Sequence, residues 1–437
     1  MTDAPVSAAV MRLFQAALDS EQRIHLDSDR AAEHADRALA TLSLVRRAVP
    51  DRPDVAAAVA RVLDRLGRPD EGLRVLEPHL RADRPWTPVV QAYGRLAPGC
   101  GQTARAIAML RRAVAEPAAG AKTEPLHYEL AVLLDLEGDS DAAFAAALAA
   151  NRLTARRLGA LPVRPLAELV ADVAGRPRPP RPEAGFPSRL PVFVVGFGRS
   201  GKTVLEALLA AHPGIAALGE RRLAVPRLVQ SLGSRMTRFG LPPVGRAWEG
   251  PRLRSAGRDF VTRLAAAAPG AARAIDTAPE NGLALPAIDA ALPGATFLHL
   301  VRDPRDTCLD MFFHFQKSRL MRAWDLAEGA RSWCAYRRLM RMWRERFGVR
   351  LAQIRYERMV TSPAPVRSEA LRLLGLTPVD RPAELVRPRV DPAGRIDRSR
   401  TVEDRHVGRW RRYGRHIGPL LEVFGDADEP VIPTADG

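Results

Sequence analysis

Lysine is almost missing from this chain. Of 66 basic residues only Lys122, Lys202 and Lys317 are lysine, and the other sixty-three are arginine. Cysteine is equally scarce: Cys100, Cys308 and Cys334 are the whole set, with no two at the spacing of metal ligands or a redox pair. That excludes a disulfide scaffold and a cysteine-built metal module, and implies reduced core thiols. No run of about 18 or more apolar residues occurs, so no membrane-spanning helix is expected. The opening stretch MTDAPVSAAVMRLFQAALDS carries an acid at position 3 and lacks the basic-then-apolar pattern of a signal peptide. The expectation is a cytoplasmic protein with no membrane partner.

What is present points to two or three domains in 437 residues, with 46% hydrophobic and 27% charged residues, an ordinary globular balance. The net charge of +16 calls for an anionic partner. Nucleic acid is disfavoured, because the arginines are dispersed over both halves without a single-sign run or interleaved aromatics. An anionic surface and an anionic cofactor with an acidic substrate remain.

Residues 30–170 are rich in Ala, Leu and Arg at helical spacing. Three segments, 53–80, 85–114 and 125–153, each read as helix, Gly turn, helix. Gly67, Gly101 and Gly138 stand 34 and 37 residues apart, near the tetratricopeptide period, and the loop insertion EPAAGAKT precedes the third unit. Helix pairs of this kind stack and leave a concave surface. The segment AGRPRPPRPEAGFPSRL (174–190) then brings five prolines in seventeen residues, a linker composition. The expected domains are 1–170, all-α and tetratricopeptide-like; 171–190, linker; and 191–437, α/β. In the last, PVFVV (191–195), AARAI (271–275), TFLHLV (296–301) and RLAQIRY (350–356) are strand candidates separated by helices, which implies a parallel sheet flanked by helices with its chemistry at the carboxyl ends.

The first of those ends is GFGRSGKT (196–203), a complete G-x-x-x-x-G-K-[ST] P-loop between a strand and a helix. Gly198, Arg199, Ser200, Gly201 and Thr203 form an anion cradle of backbone N–H groups, and Lys202 adds a cation. One of only three lysines lies inside this loop. An ATPase or kinase also needs an Asp for Mg²⁺ at a second strand end. Asp276, Asp303 and Asp306 are available, but Arg302 and Arg305 beside the last two suit a second anionic group better, so no metal is expected.

The ordered motifs PVFVVGFGRSGKTVLEALLAAHPGIAALGE, AIDTAPEN, FLHLVRDPRDTCLDMFF, IRYERMV, LLGL and DRHVGRWRRY resemble the sulfotransferases over about residues 190–425. The similarity is greatest to the bacterial tetratricopeptide-repeat sulfotransferases that resemble tyrosylprotein sulfotransferases. The resemblance implies that Arg199, Ser200, Gly201 and Thr203 grip the 5′ phosphosulfate of 3′-phosphoadenosine 5′-phosphosulfate (PAPS). It gives Arg302 the 3′-phosphate, places Tyr356 near the nucleotide, and makes the loop of Gly408, Arg409 and Trp410 the part that closes over it. Glu220 becomes the catalytic base. The implied acceptor is a hydroxyl, on a protein or peptide if the repeats present it, and the repeats also leave room for a homodimer. Sulfuryl transfer leaves charge on a departing phosphate, which fixed N–H groups and cations stabilise.

Four positions depart from the family's pattern: Gly198 replaces Pro, Lys202 replaces Thr, Thr277 replaces Lys and Asp310 replaces Ser. Lys202 is expected to supply the catalytic charge that Thr277 lacks. Asp310 would repel a 3′-phosphate unless a cation lies between them. Two alternatives stay open, an ATP-dependent kinase or ATPase and a repeat-based binding protein with a degenerate transferase domain. Elsewhere, His212 reads as a helix-end cap, MFFHFQ (311–316) and Trp410 as core, and Trp86 and Tyr93 as packing residues of one repeat.

Overall fold

The computed structural model describes residues 8–26, 31–81, 85–117, 120–159, 165–174, 185–220, 250–315, 324–345, 348–379, 389–390, 396–397 and 402–426. Most of the Pro-rich segment, 175–184, and residues 118–119 of the loop insertion lie outside them. Contacts divide the chain into two units, one holding Met1–Ala160 with Phe313–Phe315 and Val390–Arg398, the other Leu161–Phe312, Gln316–Arg389 and Ser399–Gly437.

The first unit is helical. Helices α3 (Pro53–Arg65) and α4 (Pro69–Leu80), α5 (Thr87–Leu96) and α6 (Thr103–Ala115), and α7 (Glu124–Leu136) and α8 (Ser140–Leu158) form three pairs. A glycine in left-handed conformation turns each pair: Gly67, Gly101 and Gly138, at φ of 79°, 68° and 84°. Each first helix packs on its own partner and on the first helix of the next pair, and each second helix on the next first helix. Helices α1 (Ala8–Leu26) and α2 (Ala31–Ala48) pack on each other and on α3 in the same manner, so a fourth pair precedes those visible in the sequence. Tyr93 is buried with its hydroxyl donating to Gln102 Oε1 at 2.6 Å. Trp86, expected in the core, is instead 46% exposed, because it stands at the residue before α5 where the chain is still extended.

The second unit opens earlier than the expected boundary. Helix α9 (Pro165–Ala174) occupies the start of the presumed linker and buries Leu166, Leu169 and Val170, one face of a helix. The sheet has the order β2-β3-β1-β4-β5, all parallel: β1 (Pro191–Val195), β2 (Ile215–Ala217), β3 (Arg273–Asp276), β4 (Thr296–Val301) and β5 (Leu351–Arg355). The strand β3 begins two residues and ends one residue later than expected, and β2, too short and too rich in Ala to stand out, was not legible. Every residue of β1 is buried. On one face Val192, Val194, Leu298 and Leu300 pack against Leu205, Leu208 and Leu209 of α10 (Lys202–Leu209). On the other, Phe193 stacks between Phe297 and Phe260 of α11 (Gly250–Ala267), with centroids 5.6 and 5.9 Å away. Burial on both faces is what a parallel sheet requires. Helices α12 (Leu285–Ala291), α13 (Pro304–Phe312), α14 (Leu326–Glu345), α15 (Tyr356–Thr361), α16 (Pro363–Leu373) and α17 (Gly418–Phe424) complete the layers. The chain's order reverses at β1, which makes the loop after β1 the crevice of the sheet.

Candidate functional site

The loop after β1 is shaped by close approach. At Gly196 an added Cβ would lie 2.3 Å from Ser200 Oγ and 2.9 Å from the Leu300 carbonyl oxygen, so a side chain has no room. Gly201 precedes α10 at φ 93°, and a Cβ there would fall 2.5 Å from the Tyr356 ring. Arg199 takes φ 65°, the single non-glycine with positive φ among the described residues, a strain that functional loops hold against their surroundings. Ser200 Oγ and Arg199 Nε are buried without a hydrogen-bond partner. Ser200 Oγ is thus an unused donor at the N-terminus of a helix, a place suited to an anion, while Arg199 Nε lies 4.0 Å from Asp310 Oδ2. Thr203 is exposed on the first turn, and Gly198 faces Met311.

Lys202 turns back under the loop. Its Nζ is 3.3 Å from the Gly196 oxygen and 3.5 Å from that of Phe197. Burial lowers its proton affinity, while Glu220 and Glu280 act in the opposite sense. Glu220 itself is exposed, beyond β2. The loop that carries it is fixed: Gly219 N–H donates to Glu206 Oε1 at 2.7 Å, and the Gly219 oxygen accepts from Thr277 N–H at 3.1 Å. Glu206 comes from the α10 face behind the Gly-rich loop, and no motif marked it in the sequence. At the end of β3, Asp276 Oδ1 accepts from Ala278 N–H and Asn281 Nδ2 at 2.9 and 2.8 Å, and Oδ2 has no partner. Burial raises the Asp276 carboxyl to about 6, helped by the charges of Glu280 and Glu220.

The end of β4 brings three arginines to one carboxylate. Asp310 Oδ2 accepts from Arg302 Nη1 and Oδ1 from Arg409 Nη1, both at 2.7 Å, with Arg199 Nε 4.0 Å away. Arg302 also donates to the carbonyl oxygens of Arg199 at 2.8 Å and His406 at 3.0 Å, and its guanidinium lies 4.7 Å from the centre of the Tyr356 ring. It thus ties the Gly-rich loop to the chain's late loop.

That late loop is held by the second acid of RDPRD. Asp306 accepts from Gly408 N–H at 2.7 Å and Trp410 N–H at 2.8 Å, so these two N–H groups are already engaged. The Trp410 ring is buried under the Arg305 guanidinium, 3.9 Å from its centre, and Arg305 in turn pairs with Asp303 at 2.7 Å. Asp303 and Asp306 therefore serve the loop's architecture. His212 Nδ1 accepts from Gly214 N–H at 3.0 Å, a local turn cap, and Met311, Phe312 and Phe313 are core. A cavity of about 190 Å³ runs from Ser200 and Arg302 along the α14 side of β4 and β5, past Tyr336 and His299. Burial holds the His299 imidazole down at about 4, and hence neutral.

The sequence has similarities to known proteins. Residues 191–381 match the model of the sulfotransferase family. An uncharacterized protein of Aquifex aeolicus (strain VF5) is 26% identical over 264 residues, 57% of this chain and 34% of its own length, so the chain spans about a third of that relative. Among solved structures, the sulfotransferase domain of the Synechococcus PCC 7002 olefin synthase is 20% identical, with 54% of this chain and 89% of that one covered and a TM-score of 0.35. The sulfotransferase domain of the curacin biosynthetic pathway is 17% identical, with coverages of 51% and 92% and a TM-score of 0.36. Sulfotransferase STF1 of Mycobacterium tuberculosis H37Rv is 15% identical, with coverages of 63% and 89% and a TM-score of 0.28. Over residues 191–381 this chain is therefore similar to the sulfotransferase family.

Proposed function

We propose that this domain moves a sulfuryl group from a nucleotide phosphosulfate to a hydroxyl acceptor. The observation that carries the reading is the anion cradle after β1, with Ser200 Oγ buried and unused and Arg199 in a left-handed turn beside the N-terminus of α10. Bound there, the donor supplies an activated sulfur whose bond to a phosphate oxygen breaks as the acceptor oxygen bonds to it. Glu220 takes the acceptor's proton, and the loop N–H groups with Lys202 and Arg199 hold the charge on the departing phosphate. PAPS, the donor that the resemblance implies, suits these residues at its phosphosulfate end. At its 3′ end the fit fails as the side chains stand, since Arg302 and Arg409 already grip Asp310.

Left-handed glycines at three of the helix-pair turns in the first unit, and the stacking of each pair on the next, support a reading of that unit as tetratricopeptide-like repeats. On this reading they present a peptide acceptor, of acidic character given the +16 charge, in the cytoplasm. Thermal unfolding with added nucleotide tests the donor class. Adenosine phosphosulfates or their product nucleotides at a hundredfold excess over Kd stabilise the chain by about 2.7 kcal/mol. Stabilisation by ATP with Mg²⁺ alone replaces this reading with the kinase one.

A further inference from the structure

Asp310 and Arg302 stand eight residues apart, yet the turn from β4 into α13 brings their side chains within 2.7 Å. The third partner, Arg409, comes from the late loop, and the fourth, Arg199, from the Gly-rich loop. All four residues belong to the second unit, and Arg302, Asp310 and Arg409 are each at most 5% exposed. Two guanidinium groups on the two oxygens of one anion is the arrangement by which arginines receive a phosphate. Here the chain provides that anion itself.

The consequence follows from hydrogen-bonding capacity. A serine at this place would donate a proton to an incoming phosphate, whereas an ionised carboxylate only accepts. Burial alone would raise the Asp310 carboxyl, but Arg302, Arg199 and Arg409 outweigh it and hold the group well below the usual carboxylate range, so it stays charged. A phosphate dianion would have to displace Asp310 from its arginines or lie beside it in a site that excludes water, where like charges repel strongly. A ribose 3′-hydroxyl faces neither cost. It is neutral, so it meets no like-charge repulsion from the carboxylate, and as a hydroxyl it is a donor rather than a second acceptor-only anion.

We propose that Asp310 stands in for a ligand 3′-phosphate, so that this site selects nucleotides whose ribose carries a free 3′-hydroxyl, with adenosine 5′-phosphosulfate as the class of donor. The proposal rests on the sulfotransferase reading and sharpens it. Its test is calorimetric titration of the full chain with AMP and with adenosine 3′,5′-bisphosphate. The wild type should bind AMP at least about tenfold more tightly. Asp310→Ser should move the ratio by about a hundredfold toward the bisphosphate, and the isosteric Asp310→Asn should move it in the same direction. A wild type that prefers the bisphosphate by about tenfold, or variants with an unchanged ratio, would overturn the proposal and leave the sulfotransferase reading intact. Binding of neither nucleotide overturns both. The wild-type ratio decides the matter even if the variants do not fold.

Discussion

Lys202 lies buried beneath the loop that contains it, with its ammonium near two loop carbonyl oxygens and under the influence of Glu220 and Glu280. A cation so placed strengthens the field of the anion cradle, where Thr277 contributes only a backbone N–H. Lys202→Thr is expected to lower kcat about a hundredfold, with nucleotide affinity falling less. A variant with full activity contradicts the compensation between Lys202 and Thr277. Asp276 gives a second residue-scale prediction. Its carboxyl rises from the ordinary 3.8 to about 6, so the folded chain holds this proton more tightly than the unfolded one. The associated stability is fully present below about pH 4 and is lost as pH rises through about 6, for a total of about 3 kcal/mol at one pKa unit per 1.36 kcal/mol. Asp276→Asn, which keeps the oxygen that Ala278 and Asn281 use, should remove that fall from urea-unfolding curves between pH 4 and 6, and an unchanged slope would place the loss elsewhere.

At the scale of elements, the late loop depends on one carboxylate. Asp306 satisfies Gly408 N–H and Trp410 N–H, which Arg305 covers by stacking on the indole. Asp306→Ala is expected to cost about 1–3 kcal/mol for each N–H left unpaired, and to weaken nucleotide binding by releasing Arg409 from its place. Chemical denaturation read beside calorimetry checks both; a variant as stable as the wild type would mean that the loop is held otherwise. The strands β1 and β4 and the Gly-rich loop were legible because a buried apolar run ending in a glycine-rich turn is a local signal. Glu206 was not, since its role arises from the return of the β2 loop onto α10, a contact between segments thirteen residues apart. The role of Asp310 was legible only as a conflict. Sequence placed a carboxylate opposite an expected phosphate, and the fold supplied the arginines, from positions 199, 302 and 409, that make the carboxylate welcome.

At the scale of the molecule, the two units were visible as a change of period, from helix pairs to strands alternating with helices. Their border was less so. Helix α9 has the same apolar spacing as the helices before it, and only its packing on α14 assigns it to the second unit. The pair α1 and α2 escaped for a related reason, as the sequence has no glycine between Leu26 and Ala31. The central claim is that the second unit transfers sulfuryl groups, and label transfer tests it directly. The full chain is incubated with donor labelled in its sulfur, either adenosine 5′-phosphosulfate or PAPS, and a mixture of acidic peptides bearing Ser, Thr and Tyr. The account predicts labelled peptide hydroxyls with the wild type and a loss of about 10²–10⁴-fold in rate with Glu220→Gln, while nucleotide binding persists. No label from either donor, with phosphate transferred instead from ATP and Mg²⁺, would contradict it.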